Sequence, residues 1–169
     1  MYLVTASEMQ EMDSQTIESY GIPGRILMEN AGRGATRFLF DQFSDLVNKR
    51  IGVIAGRGNN GGDGFVAARH LAKKYKVTVF LTGNQNEIKT KISQDNFNKL
   101  KNTDVKIYTN DHLNKIDDLL EKNDVIIDSM LGIGLSGSLR EPFYTIVNKI
   151  NSQKNKKIIC NITDISQGR

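Results

Sequence analysis

The sequence predicts an α/β fold built on a doubly wound, mainly parallel sheet, and three observations predict it. Five short apolar runs, Ile51–Ala55, Val77–Leu81, Val105–Tyr108, Val125–Asp128 and Ile158–Ile162, have the length and β-branched character of strands. The stretches between them, Phe65–Tyr75, Ile88–Leu100, Leu113–Leu120 and Phe143–Ile150, space their apolar residues by three and four, as helices do. Glycine-rich segments follow the first and fourth runs. Strict alternation of strand and helix implies right-handed crossovers and a parallel sheet covered on both faces. The expected strand order is 3-2-1-4-5, a three-layer α/β/α Rossmann-like arrangement.

Two helices are expected before the first strand. Thr5-Ala6-Ser7-Glu8 has the form of a capping box, and Met9, Met12 and Ile17 give a loose apolar stripe that ends at Gly21. Pro23 suits a first helical turn, and Ile26, Leu27, Ala31 and Phe38 carry a second helix toward Phe43.

The 169 residues make one domain, read as 1–169, with 38% hydrophobic and 25% charged residues and only 2 prolines. Such a composition belongs to a soluble globular chain, and no apolar run is long enough for a membrane-spanning helix. Neither a secretory signal nor a transit peptide is read at the N-terminus, where Glu8 precedes the first basic residue, Arg25. The lone Cys160 allows no internal disulfide, which fits a reducing, cytoplasmic setting. Lys and Arg number 23 against 19 Asp and Glu, a net charge of +4. The basic residues are scattered rather than clustered with aromatics, so no nucleic-acid partner is expected.

In such a sheet, ligands bind beyond the carboxyl ends of the strands where strand order reverses, here between the first and fourth strands. Both glycine-rich segments leave those two strands. The first, Gly56 to Gly64, satisfies the dinucleotide fingerprint with Gly56, Gly58 and Gly61, bringing backbone amides toward phosphate at a helix start. The end of the second strand, Leu81-Thr82-Gly83-Asn84, lacks the acid that would hold a ribose hydroxyl, so a hydride-transferring dehydrogenase is disfavoured. No lysine and hydroxyl follow the last glycine, so it is no P-loop.

Asp63 is the odd residue, because a carboxylate would repel a phosphate. It is expected to accept hydrogen bonds from loop amides or sugar hydroxyls, and Asn60 to offer an oxygen to a hard cation. In the alternative reading, the asparagines and the aspartate only cap the following helix. The second segment, Asp128 to Arg140, offers glycine amides and serine hydroxyls, and its Arg140 brings a fork suited to phosphate. Asp128 is a candidate cation ligand or a loop cap, and Asp164, past the fifth strand, can face the same crevice. His70 is read as a packing or surface histidine, His112 as a cap or surface residue, and Cys160 as buried filler.

Taken together, Leu27-Met28-Glu29-Asn30-Ala31-Gly32, Gly58-Asn59-Asn60-Gly61-Gly62-Asp63-Gly64 with Val66-Ala67-Ala68-Arg69-His70-Leu71, and Asp128 with Gly132-Ile133-Gly134-Leu135 and Arg140 resemble the NAD(P)HX epimerase family, the YjeF N-terminal domain. The resemblance runs in order over nearly the whole chain. It implies a homodimer that interconverts the R and S epimers of hydrated NADH and NADPH. A separate ATP- or ADP-dependent dehydratase can then restore the cofactor. It also implies substrate contacts from Asn59, Asn60, Gly61, Gly62 and Asp63, from Gly132, Ile133, Gly134, Leu135, Ser136, Gly137 and Ser138, and from Arg140. Asn60 and Asp128 would hold a potassium ion, and Asp164 would be both substrate contact and acid/base catalyst. The same domain also resembles non-catalytic binding or scaffold modules, the alternative function.

The chain departs from the family after the fifth strand, where the family reads aspartate, an apolar residue, proline, serine, glycine. Here the residues are Asp164-Ile165-Ser166-Gln167-Gly168, so Gln167, or Ser166 out of register, stands for a potassium-liganding serine. The strand before it carries an extra residue. The chain also stops at Arg169, short of the family's C-terminal strands. A fragment, a disrupted reading frame or a diverged protein is expected, with the fifth strand left as an edge.

Overall fold

Residues that bury both faces of a sheet must be apolar almost without interruption, and β1 (Arg50–Ala55) is so from Ile51 onward, with Gly52 the one residue lacking a side chain. In the computed structural model, which describes residues 5–43, 48–110, 114–132, 137–153 and 158–161, β1 is the centre of a five-stranded sheet. Its partners are β2 (Lys76–Leu81) on one side and β4 (Val125–Ser129) on the other, and β3 (Lys106–Tyr108) and β5 (Ile158–Asn161) complete it. All four pairings are parallel and the order is β3-β2-β1-β4-β5, as predicted.

The helices divide between the two faces. Against one lie α2 (Gly24–Gln42), α3 (Asn59–Leu71) and α4 (Lys91–Leu100), whose Leu39, Phe65 and Phe97 pack with Val53, Val79 and Leu81. Phe65 and Phe97 meet edge to face with ring centroids 5.2 Å apart. Against the other lie α5 (Lys115–Lys122) and α6 (Phe143–Asn151), where Ile116, Leu119 and Ile146 pack with Ile54, Phe80 and Ile126. The alternation Val53 to one core and Ile54 to the other is the period-two geometry of a strand.

The first helix, α1 (Ala6–Glu18), is held by its own ends. Glu8 N–H donates to Thr5 Oγ1 at 3.2 Å, and Thr5 N–H donates to Glu8 Oε2 at 2.6 Å, so the expected capping box forms. The turn into α2 passes through Gly21 at φ +66, a left-handed conformation that glycine adopts without strain. Pro23 stands one position earlier than expected, as the cap before α2 rather than in its first turn. No helix among the described residues is long and apolar enough to cross a membrane.

Several boundaries differ from expectation. Ile88 is extended rather than helical, following a 3-10 turn (Gln85–Glu87), and α4 begins only at Lys91 with Thr90 as its cap. More consequentially, α3 starts at Asn59, six residues before the predicted Phe65, and ends at Leu71 rather than Tyr75. Its first turns are asparagine and glycine, which carry no apolar period and so hide a helix from pattern reading.

Candidate functional site

The first glycine-rich segment is therefore a three-residue turn, Gly56 to Gly58, leading straight into a helix. Asn59, Asn60, Gly61, Gly62 and Asp63 form the first turns of α3 instead of a loop. The amides of Asn59, Asn60 and Gly61 have no carbonyl of the helix one turn earlier to receive them, so the turn presents N–H groups with the positive end of the helix dipole, while Gly62 N–H already donates to Gly58 O at 3.2 Å. Gly58 is the cap and supplies no side-chain acceptor. The alternative in which the asparagines and the aspartate cap this helix is thus not what they do: all three lie within it.

Close packing accounts for two of these glycines. A Cβ on Gly61 would overlap the Gly56 carbonyl, and one on Gly56 would overlap the Met130 carbonyl. The turn after β1 thus lies directly on the chain leaving β4. Gly56 N–H donates to Ser129 O at 3.0 Å, and Ser129 Oγ donates to Ile54 O at 3.1 Å. Asn60 Nδ2 donates to Leu131 O at 3.1 Å, linking the start of α3 to the second glycine-rich segment. Gly132 faces the same asparagine, with its absent Cβ 3.3 Å from Asn60 Cβ. The two segments meet at the point where strand order reverses.

Asp128, half-buried, lies opposite Ile54 on β1 and opposite Asn161 on β5. Its Oδ1 accepts Met130 N–H at 2.9 Å, which shapes the exit from β4. Asn60 and Asp128 therefore act on adjoining residues of one segment, and both carry oxygen donors. Among the described residues no group of three or more His, Cys, Asp or Glu side chains is placed to hold a metal ion. The available set is a carboxylate and a carboxamide, hard-oxygen donors rather than the nitrogen and sulfur ligands that suit zinc.

Asp63 is half-buried, and of its two expected kinds of donor the loop amides are not used: none among the described residues donates to it. Burial, with the like charge of Asp13 on α1 adding to it, pushes its carboxyl up to about 8. The group therefore holds a proton at neutral pH. That removes the sequence-level puzzle of a negative charge in a phosphate-binding turn.

The second segment is described only in part. Gly137, at φ +79, and Ser138 and Arg140 are exposed, while Ile133, Gly134, Leu135 and Ser136 lie outside the described residues. Asp164 with its neighbours Ser166 and Gln167 lies outside them too, as do His112 and the side chain of Cys160.

Sequence reasoning gave His70 no polar partner, and the structure does. Glu29 on α2 receives Arg69 NH2 on Oε2 at 2.5 Å and faces His70 Nε2 from Oε1 at 2.6 Å. Burial raises the Glu29 carboxyl, but the His70 hydrogen bond and the Arg69 charge outweigh it and hold the group below its usual range. This cluster pins α2 to the last turn of α3 and so sets the distance between them. The available signal was a carboxylate in α2 and an Arg-His pair in α3, on helices that must pack together. Arg57 and Glu87 were also missed. Arg57 lies across Gly83 and pairs with Glu87 at 3.6 Å, joining the glycine turn to the end of β2.

Known proteins resemble this chain in sequence and fold. Residues 24–163 match the family described as YjeF-related protein N-terminus. The chain is 40% identical over 176 residues to the bifunctional NAD(P)H-hydrate repair enzyme Nnr of Methanocaldococcus jannaschii, covering 98% of this chain and 34% of that protein. It is 40% identical over 150 residues to the NAD(P)H-hydrate epimerase of Nitrosopumilus maritimus, covering 88% of this chain and 67% of that one. The chain thus spans about a third of the bifunctional relative and two thirds of the single-activity one. The crystal structure of the yeast protein ynu0 superposes with a TM-score of 0.86 at 29% identity, over 96% of this chain and 70% of the yeast chain. With the family match covering residues 24–163 and the fold agreeing, this chain belongs to the YjeF N-terminal family, whose members named above include an NAD(P)H-hydrate epimerase.

Proposed function

We propose that the chain is an isomerase that interconverts the R and S epimers of hydrated NADH and NADPH. The observation that carries this reading is the Asn60 to Leu131 hydrogen bond at the β1–β4 switch point, which holds two glycine-rich segments together over one crevice. The amides at the start of α3 suit the diphosphate of a dinucleotide. Asp63, protonated below about pH 8, adds no negative charge against it. Arg140 supplies a cation from the second segment.

The reacting carbon of a nicotinamide hydrate carries a hydroxyl and adjoins the ring nitrogen. The nitrogen lone pair expels the hydroxyl as the C–O bond breaks, and a carboxyl group donates the proton that makes the leaving group water. Water then adds to the opposite face and returns its proton to the carboxylate, inverting the centre. Asp164 is assigned this role. Asn60 and Asp128 would hold a potassium ion, which when bound supplies positive charge toward the diphosphate. The chain works as a cytoplasmic homodimer in this reading. The exposed Met12, Ile17, Tyr20, Ile22 and Ile26 around the α1–α2 turn support such pairing. Its product passes to an ATP- or ADP-dependent dehydratase, a coupling consistent with the bifunctional name of the archaeal relative.

The test is to incubate the protein with pure S-NADHX and follow R-NADHX by chromatography, with and without potassium. Epimerisation above the spontaneous rate is expected. Binding without epimerisation would replace this reading with a non-catalytic module of the same fold. Asp164→Ala should abolish turnover while leaving binding measurable, and full activity in that variant would refute the catalyst assignment.

A further inference from the structure

Beyond the carboxyl ends of β2 and β3 lies a cleft of about 670 Å³ lined by Asn84, Gln85, Asn86, Gln94, Asn98 and Thr109. Among the described residues no lining side chain is charged or apolar, and five of the six are carboxamides. A carboxamide presents a donor and an acceptor side by side, the pattern that matches the edge of a purine base or the hydroxyls of a pentose. Asn84, Gln85 and Asn86 follow β2, Thr109 follows β3, and Gln94 and Asn98 sit four residues apart on one face of α4.

The cleft is fixed to the glycine turn. Lys89 N–H donates to Arg57 O at 2.8 Å, Ser93 Oγ to Gly58 O at 3.2 Å, and Thr90 Oγ1 to Asn59 Oδ1 at 2.8 Å. The Arg57 side chain, paired with Glu87, lies over Gly83 between the two places. Some of the lining groups are already committed: Lys101 Nζ donates to Gln85 Oε1 at 2.5 Å and Gln94 Nε2 to Ile88 O at 2.9 Å. The side chains of Asn86 and Asn98 are exposed and make no hydrogen bond with the described residues.

We infer that this carboxamide cleft receives the adenosine end of the dinucleotide whose diphosphate lies on the start of α3. The inference rests on the proposed function for the identity of the ligand and adds to it where the undamaged half of the substrate is held. In a sheet of this winding the nucleoside next to the first glycine turn lies at the end of the second strand. Here that place is occupied by amides. Glu87, next to Asn86 in the chain, is engaged by Asn84 N–H at 2.7 Å and by Arg57. Recognition therefore falls to base and sugar edges.

The probe is adenosine monophosphate, titrated into the isotopically labelled chain while side-chain amide resonances are followed by NMR. The Asn86, Gln94 and Asn98 resonances should shift and saturate, and nicotinamide mononucleotide should leave them in place. A Gln94→Leu, Asn98→Leu double variant, which also removes the Gln94 bond to Ile88 O, should weaken adenosine monophosphate binding about tenfold with nicotinamide mononucleotide affinity unchanged. Resonances unmoved by adenosine monophosphate, or equal losses for both nucleotides, would overturn the inference. Epimerisation by the wild-type chain is measured separately. Adenosine monophosphate seated on these amides supports the cleft even in a chain that does not epimerise. An active enzyme whose KM for NADHX is the same in the double variant overturns the cleft alone.

Discussion

Two helices of similar length begin in opposite ways. In α1 the first turn closes on itself through Thr5 and Glu8, and none of its side chains whose exposure is described is buried. In α3 the cap is a glycine without a side chain, yet eight of its thirteen residues are buried. A helix as short as α1 is marginal in water, so local capping has to supply what packing does not. The start of α3 is held instead by neighbours, through Gly56, Ser129 and Leu131, and keeps its amides directed at the crevice. The difference separates a helix end that is finished within the sequence from one completed by the fold and, in the proposed function, by a ligand.

The comparison can be broken most severely at Gly56. Gly56→Ala drives a methyl into the Met130 carbonyl, and backbone cannot step aside as a side chain can. A loss of about 3 kcal/mol or more in urea-unfolding free energy is expected. A near-neutral result would mean that α3 is not anchored as described.

Asp63 sharpens the contrast next. Its folded pKa, about 8, lies above its unfolded value, so the folded state binds the extra proton. The stability it contributes is present below about pH 4 and is lost as pH rises to about 8. Asp63→Asn should flatten that decline, on the order of 2–3 kcal/mol after allowance for partial exposure. The measurement is the urea midpoint of both proteins across this range, and parallel curves would refute it. Binding of an anionic nucleotide should also weaken above pH 8 in the wild type and not in the variant.

A smaller effect is expected at the far end of α3. Glu29→Ala removes the partner of Arg69 and His70 on half-exposed groups, a cost of about 1–2 kcal/mol in the same unfolding experiment. Because the Glu29 pKa is lowered in the folded protein, its contribution is present above the usual carboxylate range and is lost on acidification. The smallest change belongs to Thr5→Ala. It should speed hydrogen exchange within α1 a few-fold and leave the global midpoint and nucleotide binding where they were. A global loss of stability there would mean that α1 is tied to the core after all.

The strands and their order were legible because burial on two faces forces unbroken apolar runs, as in Ile51–Ala55, and because alternation with helices leaves few topologies. The capping box at Thr5 was legible because both partners lie within four residues. The beginning of α3 was not, since Asn59 to Gly64 carry neither apolar period nor helix propensity and the helix is imposed by contacts with β4. Nor could the proton on Asp63 be read. It depends on burial and on Asp13, fifty residues away in sequence. The Glu29 cluster escaped for the same reason, its members being forty residues apart.

The sheet does not stop at the ends of its strands. Thr82 N–H still reaches Ala55 O at 2.9 Å, Gly56 N–H reaches Ser129 O at 3.0 Å, and Asn110 N–H reaches Gly83 O at 3.1 Å. These rungs prolong the ladder into the floor of the crevice and the cleft beside it. A nucleotide settling there meets backbone whose freedom was surrendered when the protein folded. That part of the association carries no further ordering cost, and binding free energy can go into contacts rather than into stiffening the floor.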